Sequence, residues 1–355
     1  MRDPLILGGG PAGTAAAIIL ARGGRRPTLL ERTRETGDPL CGGFLSWRTL
    51  DALARLGIAR DALNPRAVTR LRVIAGDRVR EVMLPRPALA VSRHRLDTLM
   101  LAAATTTGAR VERGVTARAV EDGRVRTGDG AVLTPDIMLL ATGKHDLRGL
   151  ARPAARDGDP ALGIRIRLGP SPALEALVGD AIELHLFDRG YAGVVMQEDG
   201  SANLCMAVRR SRLDGGDPAT LLDHLAHDHP ALGARLQWRH ASSDAVANVP
   251  YGWRALSTVP GIYRLGDQAA VIPSLAGEGV GIAVASGMSA AHAILEDVDA
   301  PTWQRGFARD ARRPLAIAGA IRALAERPAI ARPLMPLMPA AFVRLIADAT
   351  RIDAA

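Results

Sequence analysis

An α/β fold, with a parallel sheet between packed layers and an inserted antiparallel sheet, is predicted by three features of the sequence. A short apolar strand at 4–7 runs into a glycine-rich turn and an alanine-rich helix, and a second apolar strand follows at 28–31. Two buried strands around one helix in about thirty residues form the parallel unit of an open α/β sheet. Strand patterns then crowd 162–208, as an antiparallel sheet requires, and helical periodicity takes over from Ala290.

Composition sets outer limits. The 355 residues are 48% hydrophobic, ample for a packed core. The formal charge of +8 raises the question of nucleic acid, but the basic residues are scattered arginines, with Lys144 the only lysine. They lack the interleaved aromatics on which bases stack, so no nucleic-acid partner is expected. Cys41 and Cys205 are the only cysteines. Far apart and in different contexts, they make no disulfide framework and predict a reducing, cytoplasmic setting. The apolar stretch 5–20 holds four glycines and Pro11 and lacks a clean cleavage site, so it reads as strand, turn and helix and no transmembrane segment is expected.

The elements follow in order. The helix at 12–22 stops at Gly23-Gly24, and another spans 50–56 before Gly57. Residues 70–84 alternate as a hairpin about Gly76-Asp77, closed by Pro85 and Pro87. Ser92 caps a helix to about residue 107, with Leu96, Leu99, Met100 and Ala103 on one face and Gly108 as its stop. Val111 resumes a strand, 120–132 reads as a hairpin, and 136–140 is a buried parallel strand opening into Ala141-Thr142-Gly143. The Pro-, Arg- and Gly-rich stretch 149–159 marks a domain crossing. Strands at 164–168, 182–187, 193–196 and 203–208 build the second sheet, with Asp199-Gly200 as a turn, and Pro333, Pro336 and Pro339 punctuate the helical end.

Gly8-Gly9-Gly10-Pro11-Ala12-Gly13 fits the G-x-G-x-x-G dinucleotide fingerprint and lies between a strand and a helix, as that motif demands. Gly8 permits the tight turn, Gly10 lets a pyrophosphate approach the backbone, and Gly13 lets helix and strand pack closely. Glu31, followed by Arg32, ends the next strand, where a carboxylate accepts a ribose hydroxyl. The fingerprint alone does not separate FAD from NAD.

The distant segment Leu265-Gly266-Asp267-Gln268-Ala269, followed by Pro273 and Gly277-Glu278-Gly279-Val280-Gly281, supplies the distinction. With the fingerprint it resembles the FAD-dependent oxidoreductases that include aromatic hydroxylases, flavin halogenases and geranylgeranyl reductases, over about residues 1–300. The glycine segments are most similar to the geranylgeranyl reductase branch. The resemblance implies that Asp267 bonds the ribityl chain and that Gly277 to Gly281 offer amides near the pyrimidine end of the flavin, where a helix start stabilises reduced, anionic flavin. Arg93 resembles the family arginine on the phosphate and ribityl side; a solvated helix-end arginine is the alternative. Pro39-Leu40-Cys41-Gly42-Gly43 resembles the loop over the isoalloxazine, making Cys41 the leading catalytic candidate beside a plain packing role.

The expected cofactor contacts are therefore Gly8, Gly10, Pro11, Ala12, Gly13, Glu31, Arg32, Arg93, Gly143, Asp267, Pro273, Gly277, Gly279, Val280 and Gly281. Phe187, Tyr191, Met196, Tyr251 and Trp253 are the expected substrate walls, for a small hydrophobic or phenolic molecule. Ala141-Thr142-Gly143-Lys144-His145-Asp146 departs from the family's Asp-Gly pattern, leaving the docking of NAD(P)H, the expected electron source, unassigned. The halogenase Trp-x-Trp-x-Ile-Pro pattern is absent. His224, His227 and His229, with Asp223 and Asp228, suggest metal, but a polar helix face ending at Pro230 accounts for them, and no metal is expected.

The fold class implied is α/β: a three-layer Rossmann-like FAD-binding domain (1–35, 86–148 and 257–298), an inserted, mostly antiparallel β-sheet substrate domain (36–85 and 149–256) and C-terminal helices (299–355). The expected activity is that of an FAD-dependent oxidoreductase, with monooxygenation favoured. A prenyl-type C=C reductase is the rival, and a flavoprotein with structural FAD or a redox-neutral cyclisation the rival of another class.

Overall fold

The computed structural model describes residues 3–153, 158–213, 217–337 and 339–352, so part of the 149–159 crossing lies outside the described residues. Five parallel strands form one sheet in the order Ile262–Arg264, Met138–Leu140, Leu5–Leu7, Thr28–Glu31 and Arg110–Arg113. Successive strand residues face opposite ways. Ile6, Leu29, Leu139 and Tyr263 meet the helices Pro11–Arg22, Arg93–Thr106 and Gly279–Leu295. Leu5, Leu7, Leu30, Met138 and Leu140 instead meet Val120 and Val125 of a small antiparallel sheet made by Ala117–Glu121, Arg124–Thr127 and Val132–Leu133. The three layers are thus helix, parallel sheet and antiparallel sheet.

The helix Pro11–Arg22 owes its alanines to packing. A Cβ on Gly287 would come within 2.2 Å of the Ala12 carbonyl oxygen, so only small residues let this helix lie against Gly279–Leu295.

Eight strands form the second sheet in the order Arg239–Val246, Ala161–Leu168, Ala202–Arg209, Gly190–Met196, Ala181–Phe187, Ala67–Ala75, Arg78–Ala90 and Phe44–Leu45. It is antiparallel except where Ala181–Phe187 runs parallel to Ala67–Ala75. The hairpin at Gly76-Asp77 forms, but Pro85 and Pro87 do not close it: the strand continues to Ala90. The register slips between Val68 and Arg70, opposite the proline stretch, and such an irregularity relieves prolines of the ladder bonds they cannot make. A helix at Pro172–Val178 and the strand Arg239–Val246 add to the predicted elements.

The helix Trp47–Arg55 starts three residues before the predicted one because Ser46 caps it, its hydroxyl accepting from the Thr49 amide. Leu50 and Leu53 of this helix, with Trp303, Phe307 and Leu315 near the C-terminus, enter the core of the helical layer. Farther on, Ala325, Ala331 and Met335 pack on the second sheet against Ala75, Leu186, Tyr191 and Ala207. The C-terminal helices therefore join the two sheets. Among the described residues, no helix is long and apolar enough to cross a membrane.

Candidate cofactor and substrate site

Three loops leave the carboxyl ends of adjacent parallel strands, the place where open α/β sheets bind ligands. The first carries Gly8 to Gly13. Gly8 takes a left-handed φ of +114°, and a Cβ there would sit 2.4 Å from the Ala141 carbonyl oxygen. A Cβ on Gly13 would lie 2.0 Å from the Gly8 oxygen. Gly10 is different: its missing Cβ would meet only a guanidinium nitrogen of Arg93, at 3.3 Å. No side chain caps the helix that begins at Pro11, so its first amides point outward as an anion site. Glu31 holds the loop in shape by accepting from the Gly9 amide at 2.8 Å, while its other oxygen accepts from Thr33. Arg32 lies beside His145, its guanidinium 2.8 Å from Nε2.

Arg93 reaches this loop from the start of the Arg93–Thr106 helix, which Ser92 caps. Asp97, one turn along, fixes it through two hydrogen bonds of 2.9 and 2.7 Å. The pair is largely buried, so the arginine is aimed rather than solvated.

The second and third loops interlock. Gly143 has a left-handed φ of +62°. Buried Gln268 donates to the Gly143 oxygen at 2.9 Å, and Arg152 donates to the Lys144 oxygen, the Asp267 oxygen and Asp146. Lys144 Nζ lies 3.5 Å from Asp267 Oδ2. Beyond Asp267, Pro273 leads to Gly277, whose φ is +64°. The uncapped helix Gly279–Leu295 then opens with Gly279, Val280 and Gly281, and a Cβ on Gly279 would meet nothing within 4 Å.

The second sheet turns one face toward these loops. Tyr191 shares a 2.7 Å hydrogen bond with Ser274 and accepts from the Leu275 amide, while Tyr251 donates to the same Ser274 hydroxyl at 3.0 Å. The loop bearing Cys41 is fastened to this face: Asn203 donates to the Cys41 oxygen, and Arg165 donates to Asp38 and the Pro39 oxygen. Cys205 lies two residues beyond Asn203 on the same side of its strand, and burial pushes its thiol up to about 12. Nothing in the spacing of the two cysteines places them at one face; the link is Asn203, which holds the Cys41 oxygen and shares its side of the strand with Cys205.

Two expected substrate walls are corrected. Phe187 and Met196 occupy alternate positions that turn to the opposite face of the sheet, where they pack with Leu221, Leu225 and Leu232. Phe187 also meets the His229 ring, at 5.8 Å between centroids. Trp253 sits beside Arg152, with 5.8 Å between the guanidinium and the ring centre. The polar helix containing His224 and His227 spans Pro218–Asp228, and a second helix begins at Pro230. Among the described residues, no three His, Cys, Asp or Glu side chains gather as a metal site.

Residues 2–135 match the family model of an FAD binding domain. That match gives the N-terminal part of the chain an FAD binding domain. A probable electron transfer flavoprotein-quinone oxidoreductase of Escherichia coli, YdiS, is 31% identical over 188 residues, covering 48% of this chain and 44% of that protein. Digeranylgeranylglycerophospholipid reductase 2 of Methanopyrus kandleri is 25% identical, covering 86% and 80% respectively, and menaquinone reductase of Mycobacterium tuberculosis is 27% identical, covering 81% and 75%. The fold is shared with the flavin-dependent brominase Bmp2 (TM-score 0.79, 18% identity, 99% of this chain and 94% of that one). It is shared too with a geranylgeranyl bacteriochlorophyll reductase-like protein of Thermoplasma acidophilum (TM-score 0.68, 20% identity, 99% and 92%).

The cleft fits FAD. Packing within the protein accounts for Gly8 and Gly13, but not for Gly10 or Gly279, whose absent side chains open space at two uncapped helix starts. That space would leave room for a diphosphate at the first helix start and for a ring at the second. Bound FAD supplies two-electron redox chemistry, and the chain's own residues hold it and shape its surroundings.

Proposed function

We propose that the protein is an FAD-dependent reductase acting on a carbon–carbon double bond of a hydrophobic, polyprenyl-type substrate, with NAD(P)H as electron source. The observation that carries this reading is the face of the second sheet turned toward the cofactor loops. On that face Leu184, Tyr251 and Leu275 remain only partly buried, while Leu186 and Ala207 are covered by the C-terminal helices, and the two tyrosine hydroxyls are committed to Ser274. Such a surface suits an apolar chain better than a polar ring. The relatives that cover most of this chain support the same reading, since one is a digeranylgeranylglycerophospholipid reductase and another a menaquinone reductase.

In this reading Gly8, Gly10, Pro11, Ala12, Gly13, Glu31, Arg32 and Arg93 hold the nucleotide side of FAD. Gly143, Asp267, Pro273, Gly277, Gly279, Val280 and Gly281 hold the ribityl and ring side. Tyr191, Tyr251 and Trp253 line the substrate space. Saturating a double bond takes a hydride and a proton; the Cys41 thiol, which accepts from the Gly43 amide at 3.4 Å, holds a proton on the substrate side.

Anaerobic reoxidation of reduced enzyme tests the proposal. Reduced flavin that is reoxidised by a polyprenyl substrate without oxygen supports the reductase. Substrate-dependent oxygen uptake supports a monooxygenase instead, and turnover with no change of flavin colour supports a redox-neutral role.

A further inference from the structure

Of the 45 lysines and arginines in the chain, only Lys144 is a lysine. Lysines ordinarily lie on the outer surface. This one follows the strand Met138–Leu140, between the strand that leads to the Gly8–Gly13 turn and the strand that leads to Asp267, so it stands where the sheet binds its ligand.

Its backbone is braced from two sides. Gln268 holds the carbonyl oxygens of Gly143 and His145, at 2.9 and 3.2 Å, and Arg152 holds that of Lys144 at 2.9 Å. The side chain remains 35% exposed, reached by solvent from the cleft. Asp267 keeps the ammonium protonated above the ordinary lysine value against partial desolvation, and Cys41 and Tyr251 add to the effect. Those three residues come from three different parts of the chain, so the lysine's field reaches both the cofactor loops and the substrate side.

Arg93 and Lys144 both lie near Asp267 and Cys41, and they differ in what they have left to give. Arg93 is closed by Asp97 through two short hydrogen bonds. Lys144 has three donors, and its 3.5 Å approach to Asp267 is long for a charge-assisted bond, which ordinarily spans about 2.7–2.9 Å. A compact ammonium on a flexible stem can also follow charge that appears on a neighbouring group, where a planar guanidinium cannot.

We propose that Lys144 is a cleft cation that stabilises the reduced, negatively charged form of the bound flavin, with Asp267 holding its ammonium in place. The inference rests on FAD occupying the cleft, as in the function proposed above. Two electrons and one proton entering the flavin leave one additional negative charge on the ring, and an ammonium held beside it favours that charge.

The test is the midpoint potential of the FAD-loaded protein, measured anaerobically against reference dyes for the wild type, Lys144→Met, Lys144→Gln and Lys144→Arg. The expected result for Met and Gln is about a tenfold loss of preference for reduced flavin, equal to a potential lower by about 30 mV. Arg, which keeps the charge without the compact ammonium, restores only part of it. The pH at which the spectrum of reduced flavin changes from neutral to anionic should rise by about one unit in Met and Gln, a shift that a merely structural ion pair would not cause. Unchanged potentials and spectra in Met and Gln that hold FAD overturn the inference. So does a fall in FAD affinity alone, which would assign the lysine to the diphosphate. Failure of the reductase reading is separate: it appears as wild-type enzyme whose reduced flavin no polyprenyl substrate reoxidises, while its potential remains measurable.

Discussion

Arg351 donates to a carboxylate oxygen of Glu278 at 2.6 Å, and both side chains are buried. The arginine also donates to the Ala276 oxygen and lies over the rings of Trp47 and Phe44. The end of the chain thus clamps the turn that opens the Gly279–Leu295 helix. Arg351→Met leaves Glu278 buried without its cation, and the expected loss is about 3–5 kcal/mol of unfolding free energy, together with weaker FAD retention. Adding Glu278→Gln to Arg351→Met should recover part of that loss. Urea denaturation of the two single variants and the double variant measures the coupling. The exposed pair Arg86–Asp51 is the control, expected to contribute less than about 1 kcal/mol.

The glycines of the fingerprint should separate into two classes. Gly13→Ala drives a Cβ to 2.0 Å from the Gly8 oxygen, so the turn must deform, and a destabilisation of about 1–3 kcal/mol is expected even without FAD. Gly10→Val meets only the movable end of Arg93 in the ligand-free protein. It should fold with near wild-type stability, yet bind FAD at least a hundredfold more weakly, a factor equal to about 2.7 kcal/mol. Thermal melts without FAD and quenching of FAD fluorescence distinguish the two effects.

The backbone of the candidate cofactor half, its turns and helix starts, was legible in the sequence because it depends on local conformation. Gly8 is required by its left-handed φ and Gly13 by its contact with the Gly8 oxygen, and Ser92 caps its helix as its position before Arg93 suggests. The substrate half was not, because period-2 alternation shows which residues share a face without showing which face meets the cofactor. Tyr191 and Met196 lie on one strand and were expected to line the site together, but five positions apart they point to opposite sides. The prolines misled for a related reason, since the slip between Val68 and Arg70 that accommodates Pro85 and Pro87 belongs to strand pairing and leaves no mark in either strand alone.

Acid sensitivity should arise on the far face of the second sheet. Burial pushes the Glu183 carboxyl up, but hydrogen bonds from His185 and Arg235 outweigh it and hold the group at about 2, below its ordinary 4.5. A depressed carboxyl contributes stability above its unfolded value and loses it as pH falls through the folded value. The stabilisation, about 3 kcal/mol, should therefore disappear between about pH 4.5 and 2. Burial holds His185 below its ordinary 6.5, so the unfolded chain takes up that proton first, and stability should begin to fall just below pH 6.5. Glu183→Gln should remove the lower part of the profile and leave the onset near 6.5. Urea midpoints measured from pH 8 to 3 check both parts.

The two cysteines should respond differently to chemistry at the same face. Burial pushes the Cys205 thiol up to about 12, so it is protonated at neutral pH and should resist alkylation, because the thiolate is the nucleophile. Cys41 is half-buried on a loop fastened by Asn203 and Arg165, and iodoacetamide at pH 7.5 should modify it first. Bound FAD should slow the reaction. Cys41→Ser should lower turnover at least tenfold while FAD affinity changes less than threefold, since the phosphate and ribityl contacts are proposed for other residues, Gly10, Arg93 and Asp267. A tenfold loss equals about 1.4 kcal/mol of barrier, the scale of one misplaced proton donor rather than of a lost cofactor. Peptide mapping of the alkylated protein identifies the cysteine. Equal labelling of both, or full turnover by Cys41→Ser, would reduce Cys41 to a packing residue beneath the substrate.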